Sequence, residues 1–290
     1  MMDFIPYGKQ TIDEDDINSV VEVLKSDFLT TGPKIKEFED ELCRYTNAKY
    51  CVAVANGTAA LHLASLVLLN KGDKVITTPN SFVATSNSIL YVEAIPIFVD
   101  IQEDGNIDLD LCEEELKKDR SIKALYVVNF SGNIVNQKKL KYLKESYNIK
   151  ILEDCAHSLG ATFEGIKAGS CENSDCSILS FHPVKHITTG EGGAVTTNSK
   201  EIYEKLLELR ADGIKRFPGT APWYYEMHSL GFNYRITDMQ AALGISQLKK
   251  LDSFIKRRRK LALKYDKAFL NSIVKPLYSF NQNSSYHLFV

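Results

Sequence analysis

Between Ser180 and Ala194 the chain reads SFHPVKHITTGEGGA. An apolar strand ends at Ser180. Lys185 follows in a loop, flanked by hydroxyls and by a glycine-rich turn. A lysine that is to form a Schiff base must be held out of bulk water, so that its amine can be neutral near pH 7. Ser180, at the end of the strand, is placed to bind a phosphate. A generic glycine-rich loop accounts for the turn, but not for the lysine and the hydroxyls together.

A second signal is IKILEDCAH, residues 149–157. An apolar strand delivers Asp154 at its C-terminal end, where open α/β sheets place ligands. An aspartate there can hold a protonated ring nitrogen through a charge-assisted hydrogen bond, and His157 can reach the same ligand. Other readings are a helix-capping aspartate, a core histidine, and a metal site of Asp154, Cys155 and His157. The metal reading is disfavoured because neighbouring side chains diverge and no further pair has zinc-site spacing; no metal is expected. A third signal, NGTAAL at residues 56–61, puts small residues and a hydroxyl at a helix start, where free amides and the helix dipole favour a phosphate. On its own it reads better as a tight strand-to-helix turn with Thr58 as the N-cap. The fourth, GFNYRITDMQ at residues 231–240, introduces a long helix with Thr237 or Asp238 as cap.

Together these motifs resemble the DegT/DnrJ/EryC1/StrS sugar aminotransferases. The resemblance runs from Ile5-Pro6-Tyr7-Gly8 and Leu29-Thr30-Thr31-Gly32-Pro33 to Tyr286-His287-Leu288, nearly the whole chain. It implies an α/β chain of the aspartate aminotransferase architecture, fold type I, that depends on pyridoxal 5'-phosphate (PLP). It implies that Lys185 bonds to PLP and then moves the proton between the two transaminating carbons. Asp154 would partner the pyridine nitrogen, and His157 would sit beside the phenolic oxygen. Thr58, Ala59 and Ser180 would hold the phosphate, and Phe82, in PNSFVAT, would stack on the ring. Asn233 would reach the phosphate from a neighbouring subunit, which implies a homodimer with shared sites. Tyr7 and Thr30 would contact substrate.

The related sugar 3-dehydrases carry histidine where the aminotransferases carry the lysine. This chain has Lys185 followed by His186, which favours amino transfer. The phrases NSFVATSN, DGNID and SFHPVKHITTGEGGAV are most similar to the branch that serves pseudaminic acid synthesis. That implies L-glutamate as amino donor and a UDP-linked 4-keto-6-deoxy-N-acetylhexosamine as acceptor. Two alternatives are another keto-sugar nucleotide and a non-catalytic remnant of the fold. A nucleotide- or metal-dependent α/β enzyme unrelated to PLP is disfavoured, since no GxGxxG follows the first strand and no Walker-type GK[ST] occurs.

These residues need a scaffold, and the chain supplies one. Short β-branched runs at Tyr50–Ala55, Lys74–Thr78, Ile95–Val99, Ala124–Val128 and Ile149–Leu152 alternate with helical stretches, including Gly57–Leu69 and Ser81–Tyr91. That pattern predicts a mostly parallel sheet covered on both faces. CSILSF and GGAVTT, with only a loop between them, predict a hairpin or crossover, and helices are expected over Lys200–Arg210 and from Thr237 to about Phe269. Residues 1–250 are expected to form a large PLP-binding domain including an N-terminal arm. Residues 251–290 would form a linking helix and the start of a small C-terminal domain that is largely missing. SSYHLFV, the last seven residues, reads as the start of a strand. An unpaired apolar strand invites aggregation, so the sequence is expected to be truncated.

With 35 basic and 37 acidic residues among 290, the net charge is −2. That balance gives no case for nucleic acid or a membrane surface as partner. No apolar stretch is long enough to span a bilayer. The N-terminus, MMDFIPYGKQ, lacks the pattern of an export signal. The six scattered cysteines then read as reduced thiols in the cytoplasm.

Overall fold

The computed structural model describes residues 8–290. Its strands, in chain order, are β1 (Tyr50–Val54), β2 (Lys74–Thr77), β3 (Ile95–Phe98), β4 (Ile122–Val128), β5 (Lys150–Asp154), β6 (Thr162–Phe163), β7 (Ile166–Lys167), β8 (Cys176–Ser180), β9 (Gly193–Thr197), β10 (Ile214–Lys215) and β11 (Glu226–Met227). The helices are α1 (Glu14–Leu24), α2 (Pro33–Thr46), α3 (Gly57–Leu68), α4 (Ala84–Tyr91), α5 (Leu109–Lys118), α6 (Gln137–Tyr147), α7 (Lys200–Arg210) and α8 (Asp238–Phe269). Two short hairpins, β6–β7 and β10–β11, stand outside the main sheet.

The main sheet has the order β1-β9-β8-β5-β4-β2-β3. β2 pairs in parallel with β3 and β4, β4 with β5, and β5 with β8. β9 runs antiparallel to both β8 and β1. CSILSF and GGAVTT are therefore adjacent antiparallel strands, and only β9 opposes the common direction. Apart from the edge strand β3, whose Ile95 and Phe98 are exposed, the strands of the main sheet are largely buried on both faces, in keeping with their near-continuous apolar composition. In β1, Val52 and Val54 enter the cluster under α3, α4 and α7, while Cys51 and Ala53 enter the one under α2 and α8. In β4, Ala124 and Tyr126 join the first cluster, whereas Leu125 and Val127 face a third, with Leu116 of α5 and Leu140 of α6. The period-2 alternation of strand side chains thus divides one apolar run between two layers.

Helix ends follow local chemistry. Asp13 and Asp16 form a capping box on α1, and Pro33 opens α2. Asn47 closes α2 in the left-handed conformation. Thr237 caps α8 with Gln240 completing the box, so of the two expected caps it is the threonine that serves. Asp238, fully buried, instead accepts from the Gly32 and Lys34 amides at 2.7 and 2.9 Å and ties the start of α2 to that of α8.

The last residues do not form the expected strand. Phe280–Val290 carries no strand pairing. Tyr286 has φ +48°, which breaks an extended run. Arg258 donates to the carbonyls of Tyr286 and His287 at 3.1 and 3.2 Å, and Arg259 to that of Ser284 at 2.8 Å. The Ser285 and Leu288 amides donate to Gly132 and Ser131. Backbone groups that a neighbouring strand would satisfy are met by two guanidinium groups and a turn. A Cβ on Gly132 would lie 2.7 Å from the Tyr286 nitrogen, and Gly132 has φ +104°, so this docking needs glycine.

Candidate active site

β1, β4, β5 and β8 all end at one edge of the sheet, and β9 starts there. A cavity of about 640 Å³ opens at that edge. It is lined by Thr58, Ala59, Phe82, Asp154, His157, Ser180 and Lys185, which the sequence had scattered over more than a hundred positions. Asn233 does not line it; it is exposed and bridges to Ala211 outside the cavity. Thr30 is exposed and bridges to Thr237. Tyr7 lies outside the described residues.

The start of α3 forms one end. Asn56, not Thr58, is the N-cap: its Oδ1 accepts from the Ala59 amide at 2.8 Å. The reading of Thr58 as cap is corrected accordingly, because the chain turns helical one residue after Asn56. The Ala59 amide is thereby engaged, and the Gly57 and Thr58 amides are left as the free donors of the first turn. Ser180 stands beside them: a Cβ on Gly57 would meet the Ser180 Oγ at 3.2 Å. Gly193 permits the approach of β9, since a Cβ there would lie 2.5 Å from the Asn56 carbonyl oxygen. Amides, a hydroxyl and a helix dipole converge on one spot, which suits a phosphate.

Asp154 forms the floor. Its Oδ2 accepts from Thr85 Oγ1 at 2.7 Å and its Oδ1 from the Ala156 amide at 3.0 Å. No helix follows it, so the bond to Ala156 is a local turn and not a helix cap. Asp154 is only 6% exposed, and it has no ion pair among the described residues. Burial raises its pKa, opposed by the Thr85 and Ala156 bonds and by the Lys185 charge. A cationic ring nitrogen placed there would restore the carboxylate. Thr85 was missed as a site residue. Its signal was its place three positions after Phe82 in the quoted PNSFVAT, on the facing turn of α4.

Lys185 lies in the loop between β8 and β9. The loop is tied to itself: Thr189 N and Thr188 Oγ1 both donate to the Phe181 carbonyl, and Lys185 N donates to that of His182. Burial lowers the Lys185 pKa, opposed by Asp154. That is the shift a nucleophilic amine requires. His157 is driven down to about 3, by burial first and the Lys185 charge second, so its ring is neutral at pH 7. Its Nδ1 is buried without a hydrogen-bond partner. Its ring lies 4.3 Å from that of His287, which sequence reasoning did not single out. Phe82, 72% exposed, stands at the rim with its face free for stacking. Cys155 is buried in the second cluster and accepts from Asn129 Nδ2, away from Asp154 and His157.

A half-buried lysine, a buried carboxylate without an ion pair under the same cavity and an amide-rich anion cradle fit PLP at its amine-reactive carbon, its ring nitrogen and its phosphate. The fold is that of a PLP-dependent aminotransferase of fold type I. The profile of the DegT/DnrJ/EryC1/StrS aminotransferase family matches residues 10–290, and the chain belongs to that family. It is 44% identical over 268 residues to a UDP-4-amino-4,6-dideoxy-N-acetyl-beta-L-altrosamine transaminase of Campylobacter jejuni, covering 91% of this chain and 69% of that protein. Helicobacter pylori PseC, an aminotransferase of pseudaminic acid biosynthesis, superposes with a TM-score of 0.92 at 34% identity, covering 98% of this chain and 76% of that one. Spr1654 of Streptococcus pneumoniae, solved in a PLP form, gives 0.90 at 32% identity over 98% of this chain and 77% of that one. Among the described residues no helix is long and apolar enough to cross a membrane.

Proposed function

We propose that this chain transfers an amino group from L-glutamate to C4 of a UDP-linked 4-keto-6-deoxy-N-acetylhexosamine, giving the 4-amino sugar nucleotide of pseudaminic acid synthesis. The observation that carries the reading is Lys185, half-buried in one cavity with Asp154 and His157, in a chain 44% identical to a transaminase of that name. Bound PLP supplies an electron sink for the charge left when a proton leaves the amino-bearing carbon. Lys185 Nζ, its pKa lowered by burial, takes that proton and returns it one carbon away. Asp154 keeps a proton on the ring nitrogen. The first turn of α3, through the free Gly57 and Thr58 amides beside Ala59, and the Ser180 hydroxyl hold the phosphate. Phe82 covers one ring face, and His157 supports the ring's oxygen side without adding charge.

The enzyme acts in the cytoplasm as a homodimer, with Asn233 of each subunit serving the site of the other. Its exposure outside its own cavity is consistent with that role. Tyr7 and Thr30 contact the sugar nucleotide. Residues 251–290 form a linking helix and the start of a smaller domain; the exposure of Leu261, Tyr265, Leu270 and Ile273 along that stretch supports this reading.

The test is to reduce the PLP-loaded protein with borohydride and map the modified peptide, then to supply L-glutamate and the 4-keto sugar nucleotide. Label on Lys185 with formation of 2-oxoglutarate and the 4-amino sugar is expected. Turnover of a different keto sugar would move the assignment within the family. A folded chain that takes no label would be a remnant.

A further inference from the structure

Lys185 also lines a second cavity, of about 270 Å³. Its walls come from three places: Lys9 to Thr11 before α1, the lysine loop, and the stretch of α8 that carries Arg257 and Arg258. These two arginines belong to the basic run Lys256–Lys260, and neither lines the cofactor cavity. Among the described residues no aspartate or glutamate lines the smaller cavity. Of the acids at the start of the neighbouring α1, Asp13 and Asp16 are engaged: Lys250 pairs with both, and Asp16 also accepts from Ser246 and Gln247; Glu14, Asp15 and Glu22 do not line the cavity. Among the described residues Arg258 donates only to the Tyr286 and His287 carbonyls, which are neutral acceptors. Lys9 and Arg257 have no ion pair among the described residues. Cationic groups gathered around one space without a counter-charge repel each other, and an anion in that space removes the cost. The volume lies below the range of about 300–1,000 Å³ usual for larger organic ligands, so the guest is small.

We propose that this cavity is the carboxylate-binding subsite for the amino donor. Arg257, Arg258 and Lys9 recognise a five-carbon dicarboxylate and bring its amine-bearing carbon to Lys185. The identity of the donor rests on the function proposed above; the cluster of unpaired cations does not.

The experiment uses the full chain without cofactor and glutarate, a dicarboxylate with no amine to react. Calorimetric titration is expected to show saturable glutarate binding that weakens with salt. Butyrate, with one carboxylate, should bind at least about tenfold more weakly, and Arg257→Gln should weaken glutarate by about tenfold or more. Arg257 is exposed, so its replacement leaves folding intact. Arg257→Lys should restore part of the affinity. Failure of wild type to bind glutarate, or unchanged binding in Arg257→Gln, would overturn the proposal. So would UDP displacing glutarate from the same site, which would assign the cations to phosphates. Borohydride labelling of Lys185 in the PLP-loaded chain separates the two readings. Glutarate binding without label leaves the dicarboxylate site standing and removes the aminotransferase reading. Label with no glutarate site does the reverse.

Discussion

Glu39 and Asp154 are both buried carboxylates, at 4% and 6% exposure, and their surroundings differ. Glu39 on α2 accepts from the Ala53 amide at 2.9 Å and from Arg210 at 2.5 Å, and Arg210 also donates to the Ala53 carbonyl. Its counter-ion is built into the fold, and the pair fastens α2 and α7 to β1. Asp154 has a hydroxyl and an amide but no ion pair among the described residues. A buried charge with its own guanidinium is part of the scaffold. One left short of a cation is complete only when a ligand brings it.

The largest expected effect falls on the cavity side of this contrast. Lys185→Ala should lower turnover by about 10³-fold or more while the far-ultraviolet dichroism stays unchanged. Surviving turnover would show that another amine carries the chemistry. The sharpest comparison applies one substitution to both carboxylates. Glu39→Gln strands Arg210 and should cost about 3 kcal/mol in urea unfolding. Asp154→Asn should cost about a hundredfold in turnover with the unfolding midpoint of the cofactor-free chain unchanged or raised. If Asp154→Asn destabilised as Glu39→Gln does, the distinction between them would collapse.

Acid gives the next test. Burial pushes His157 and His186 down to about 3, and His287 is lowered as well. In the unfolded chain these rings protonate near the usual value of about 6.5. Their contribution is therefore present above that value and is lost as pH falls towards 3. At pH 5 one such ring removes about 2 kcal/mol. Urea midpoints at pH 7.5 and pH 5 measure it; equal midpoints would mean that the rings reach water. Asp154 has the opposite sign. Its raised pKa gives stability below its ordinary value of 3.8, and that stability fades as pH rises through the folded value. The smallest effect belongs to the rim. Phe82→Ala should weaken PLP binding by about fivefold, the loss of roughly 1 kcal/mol of stacking, with no change in the cofactor-free midpoint.

Much of the scaffold was legible because its signals are local. The apolar runs of β1, β2 and β5 and the helical period of α7 require only neighbours in sequence, and these elements stand within a residue or two of their expected bounds. The motif around Lys185 was legible for the same reason. Other features depend on partners far away in the chain. SSYHLFV has the composition of a strand, yet Arg258, Arg259 and Gly132 take up its backbone groups. Thr58 looks like a cap until the turn begins at Asn56. Thr85 acquires a role only because α4 packs where its hydroxyl meets Asp154, 69 positions on.

By itself the sequence determined the alternation of strands and helices, the presence of a lysine in a hydroxyl-rich loop, and an acid at a strand end. Those follow from composition and periodicity over short windows. Only the tertiary structure decided that the strands end at one edge, that Lys185 and Asp154 lose water there, and that Asp154 lacks the cation Glu39 has. Burial and pairing are properties of the packed whole, since each is set by residues that chain order keeps apart.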